Sequence, residues 1–84
     1  MTIYDQVKEI AEQHIQDLGC VVVSLADWQA LWDSMPDEEK ERNRVGIAIA
    51  DAPVIHRDEH EGPPRWAPEH ESKSWLKVAG WVAR

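Results

Sequence analysis

Phenylalanine is absent from this 84-residue chain, and cysteine and tyrosine occur once each. A lone cysteine, Cys20, allows no internal disulfide, so the fold must rest on packing, and the usage suits a reducing compartment. Glycine is scarce at 4 residues, and no Gly-rich phosphate loop, CxxC pair or HExxH motif occurs. Basic residues number 9 against 16 acids, which argues against direct contact with nucleic-acid phosphates. No apolar run approaches the roughly 18–20 residues needed to span a bilayer. MTIYDQVKEIAEQ lacks the basic-then-apolar order of a secretory signal. The expectation is one small domain over 1–84, with no membrane segment, in the cytoplasm.

What the chain does have is tryptophan: Trp28, Trp32, Trp66, Trp75 and Trp81. Five indoles are difficult to bury in so short a chain, because small domains hide a smaller share of their surface. Partly exposed tryptophan is common in protein-binding patches. The negative charge is uneven. Residues 1–44 hold ten acids and four bases, a net of −6, which leaves −1 for residues 45–84. Such a half attracts a basic surface, including one that ordinarily holds DNA or RNA, although a hydrated solubilising face is an equally good account of it.

Ile3, Val7, Ile10, Ala11, His14, Ile15 and Leu18 recur at helical spacing and predict an amphipathic helix over 2–18. Thr2 with Asp5 resembles a capping box, and Gly19 suits the left-handed position after a helix. CVVVS, 20–24, reads as a buried central strand. Ser24 caps a second helix carrying Leu25, Trp28, Leu31, Trp32 and Met35, which Pro36 interrupts. PDEEKERNR follows as a short polar surface helix. VGIAIA, 45–50, predicts a second strand, joined to the first by a link that suits a parallel crossover. PVIH predicts a short edge strand, and the segment from Arg57 to Lys73 an irregular loop. SWLKVAGWVAR fits either element. Gly80 and the Trp and Val content favour a strand in which Trp75, Lys77 and Trp81 share a face.

The expected fold is therefore α+β. Two to three helices pack on a small three-stranded sheet in the order helix, strand, helix, short helix, strand, loop, strand.

His56, His60 and His70 with Glu69 and Glu71 are zinc-type ligands, but on extended chain His56 and His60 stand about 13 Å apart. Solvated loop histidines are the simpler reading, and no metal or cofactor is expected. Cys20 lies in an apolar run where burial suppresses reactivity, and Ser24 is better used as a cap than as a nucleophile. No enzyme is expected. Trp28 and Trp32 can pack the second helix on the sheet or act as anchors flanked by Asp27, Asp33 and Asp37. Trp66 in PPRWAP is either a lid over the core or a pre-ordered anchor.

VVVSLADWQAL resembles the strand-to-helix segment of Phd-type antitoxins, in which a hydrophobic strand leads through Ser-Leu into a helix with an aromatic residue. The resemblance covers eleven of 84 residues, and the family's N-terminal part has no counterpart here. In size and charge the chain is also similar to phage-borne inhibitors such as anti-CRISPR proteins, DNA mimics and immunity proteins. These readings lead to a non-enzymatic, protein-binding module, monomeric or homodimeric, that inhibits or modulates a partner with a basic surface. Trp32, Asp33, Asp37, Glu38, Glu39, Glu41 and Trp66 would form the contact. Two alternatives stand beside it: a homo-oligomeric or accessory structural subunit, and a metal site in the 56–71 loop.

Overall fold

The computed structural model describes residues 2–43 and 46–78. Among these residues, four helices and a four-stranded sheet follow in the order α1 (Ile3–Gln13), β1 (Gly19–Val23), α2 (Leu25–Ser34), α3 (Asp37–Arg42), β2 (Ala48–Ile49), β3 (Ala52–His56), β4 (Arg65–Pro68) and α4 (Glu69–Val78). The α+β class stands, with a strand and a helix more than the sequence suggests.

The sheet order is β2-β3-β1-β4. β1 runs parallel to β3 and antiparallel to β4, and β2 closes antiparallel on β3. β1 is the central, buried strand its valines predict, with Cys20 through Val23 all buried. Its parallel partner is not 45–50 but β3. The crossover therefore runs through α2, α3 and β2, and PVIH is an interior strand rather than an edge.

Pro53 is tolerated inside the sheet for a geometric reason. Val54 turns its amide to Ile47 O, and Arg57 turns its own to Val23 O. Amides alternate sides along a strand, so Pro53's missing donor lies on the β1 side. The parallel ladder simply starts one residue later, at Val54 opposite Val21.

Side-chain caps begin both large N-terminal helices. Thr2 Oγ1 accepts from the Asp5 amide at 3.1 Å while Asp5 Oδ2 accepts from the Thr2 amide at 3.3 Å, a complete capping box. Ser24 Oγ accepts from the Asp27 amide at 3.2 Å. α1 stops at Gln13, a turn earlier than the apolar spacing predicts. Ile15 and Leu18 consequently sit in the following turn, 69% and 70% exposed. Gly19 is not a helix cap but the first residue of β1, at φ +152°. A Cβ there would lie 2.3 Å from Ala67 O on β4, so the missing side chain is what lets the two strands close.

The chain between Arg57 and Lys73 also differs from expectation. Its irregular part ends at Pro64; Arg65–Pro68 is an edge strand and α4 starts at Glu69. The strand proposed for 74–83 is helix as far as Val78. Residues 79–84, including Gly80 and Trp81, lie outside the described residues. Propensity loses here to tertiary context. Ser72, Trp75 and Leu76, at helical spacing, meet the sheet face made by Cys20, Val22, Ile55 and Ala67, and Glu69 and Glu71 suit the helix's first turn. The opposite face carries the larger core, where Val21, Val23, Val54 and Ile49 pack with Val7 and Ala11 of α1 and Leu31 and Met35 by α2.

Candidate functional site

α2 turns Leu31 inward and half-buries Trp28 against the core, so that Trp28's ring lies 4.9 Å from His56. Its outer side keeps Leu25 and Trp32, seven residues apart and thus on one helical face, 47% and 38% exposed. Asp33 beside Trp32 is exposed, as are Asp37, Glu38 and Glu41 on α3. No residue of α3 is fully buried. Glu39 is half-buried and paired with Arg42.

What fixes α3 to the rest of the fold is Asn43. This buried residue donates to Glu39 O at 2.6 Å and accepts from the Ala48 amide at 2.9 Å, tying the end of α3 to β2. Sequence reasoning missed it. A polar residue closing a charged helix before a glycine-containing strand was the available signal, and it looks the same in an exposed loop.

Trp66 is separated from this group. It lies on β4, while α3 is tied to β2 at the other edge of the sheet, with β1 and β3 between. Half-buried, Trp66 packs against the larger core and stacks on His14 at 4.5 Å with the planes 4° apart. His14 Nδ1 lies 2.8 Å from Asp17 Oδ2, which orients the ring. The site read from the sequence is therefore split. Trp32, Asp33, Asp37, Glu38, Glu39 and Glu41 lie on the consecutive helices α2 and α3, and Trp66 lies on β4.

Beside Trp66 is an open groove of about 660 Å³. One wall is α4, with Lys73, Leu76 and Lys77. The other is formed by the turn 14–18 and the β2–β3 turn, where Ala50 and Asp51 take positive φ. Its size is that of a small-molecule site. Among the described residues, α4 covers only part of its sheet face, and the groove lies beside it.

Cys20 lies under α4. Burial pushes its thiol up from 9.0 to about 11, while the neighbouring Ser72 hydroxyl and Arg65 pull the other way. The Ser72 hydroxyl is itself buried without a partner in hydrogen-bonding geometry. Arg65 pairs with Glu71; its hydrogen bond holds that carboxyl below the usual range. Of the histidines, His60 Nε2 contacts Pro63 O at 2.8 Å and His56 lies against Trp28. Among the described residues, no three His, Cys, Asp or Glu side chains come together as a metal set.

No known protein family matches the chain, and no curated protein or solved structure is significantly similar to it. No helix among the described residues is long and apolar enough to cross a membrane.

Proposed function

We propose that the chain is a non-enzymatic binding protein that docks through the outer faces of α2 and α3 onto a basic surface of a partner protein, including one that ordinarily holds nucleic acid, and thereby inhibits or modulates it. The observation that carries this reading is the pair Leu25 and Trp32, exposed on one face of α2, with exposed carboxylates at Asp33, Asp37 and Glu38 close by in sequence. Exposed apolar side chains together with exposed carboxylates are what an interface with an oppositely charged partner needs. The carboxylates steer the encounter and the indole supplies desolvated contact. Nucleophilic chemistry has little to work with here. The thiol is sealed and held protonated, and the Ser24 hydroxyl is engaged as a cap.

The test begins with proteins from the native host retained on the immobilised chain. Each is then purified and its binding measured kinetically. Association should slow by at least about tenfold between about 50 and 300 mM salt. Trp32→Ala should chiefly speed dissociation, and the double change Asp37→Lys, Glu38→Lys should abolish retention. A partner held equally well by the charge-reversed variant would defeat the reading.

A further inference from the structure

We propose that the groove beside α4 is a self-association surface on which a second copy of this chain docks about a two-fold axis. The first ground is shape. Ile15 and Leu18, in the turn after α1, line a concavity of about 660 Å³ and stay 69% and 70% exposed, so the groove carries an open aliphatic wall. In an isologous contact the same patch faces itself, so the aliphatic wall of one copy can cover that of the other. Exposed aliphatic side chains gathered along one groove offer a partner apolar surface to cover.

The second ground is charge. Lys73 and Lys77, one turn apart on α4, form no ion pair or hydrogen bond among the described residues. Asp17 and Asp51 lie along the opposite side, and Glu69 at the start of α4. An anionic amphiphile would meet three carboxylates. A basic segment would meet two uncompensated ammonium groups. A second copy brings both signs in reversed order, so each wall finds its complement. The groove also holds little of the net charge. Three carboxylates and two lysines leave it −1 of the chain's −7, so two copies meet here with little repulsion. The α2–α3 surface is too anionic to face itself. This proposal is independent of the reading of that surface.

The experiment is sedimentation equilibrium of the full chain from about 5 to about 500 µM, the range in which weak homodimers form. The wild type should show a reversible monomer–dimer equilibrium. Leu18→Asp should remain monomeric throughout. The double change Lys73→Glu, Lys77→Glu should weaken the dimer at least about tenfold. All three positions are exposed, so circular dichroism should show the fold intact. A wild-type chain that stays monomeric at every concentration, with or without a small molecule bound, overturns the proposal. So does a dimer that survives both sets of changes, since it must use another face.

Discussion

On β1, Val21 and Val23 point toward α1 and α2, while Cys20 and Val22 point toward α4 alone. All four are buried, yet their surroundings are unequal. Among the described residues, the first face has ten buried residues in one cluster with two helices across it, and the second has four under a ten-residue helix. The fold is thus a complete two-layer unit with a thinner third layer added. A single helix cannot cover a four-stranded sheet face, because strands lie about 4.8 Å apart while a helix is roughly 10 Å wide. The uncovered remainder, beside Pro53 and Ala48, is where the groove opens.

The comparison breaks most severely at Gly19, which both faces share. Gly19→Ala should cost about 3 kcal/mol or more in urea unfolding, because the new Cβ meets a backbone oxygen, Ala67 O, that cannot move without parting β4 from β1. A cost below about 1 kcal/mol would mean that β4 is loosely held and the thinner layer dispensable.

Adjacent valines then allow the faces to be weighed directly. Val21 and Val22 are the same residue type, 0% and 1% exposed, on opposite sides of one strand. Val21→Ala should cost about 2–3 kcal/mol and Val22→Ala about 1–2, since a cavity under two helices collapses less than one under a lone helix. Equal costs would remove the distinction between the layers.

The thicker layer was also the more legible in sequence. Its signals are local: a capping hydroxyl at Thr2 and at Ser24, a β-branched run in VVV, helical spacing through Val7, Ala11 and Leu31. The periodicity misled only at its end, where Ile15 and Leu18 continue the pattern although the helix has stopped and His14 has turned to stack on Trp66. The thinner layer depends on pairing between distant segments. Trp75 and Leu76 are helical because a sheet face from β1, β3 and β4 needs cover, and nothing within SWLKV records that need. The same limit explains the candidate site. Trp32 through Glu41 are close in sequence and lie on the consecutive helices α2 and α3. Whether Trp66 joins them depends on strand order, which places it at the far edge.

The smallest expected effect on stability isolates the thinner layer. Cys20 lies beneath α4, and its raised pKa means that burial favours the neutral thiol. This contribution is fully present below about pH 9 and is lost as pH rises toward about 11. At pH 8 the two values imply roughly a hundredfold less thiolate than in a free cysteine, before any shielding by α4. Iodoacetamide should therefore modify native Cys20 slowly, by a route that requires α4 to lift. Trp75, which packs at this face and lies under the Arg57 guanidinium, is the point at which to loosen it. Trp75→Ala should speed alkylation at least about tenfold, because local opening draws on a smaller free energy than global unfolding. The same change should cost less than Val21→Ala in urea. If alkylation instead keeps pace with global unfolding in both proteins, α4 opens only when everything does, and the two layers are a single cooperative unit.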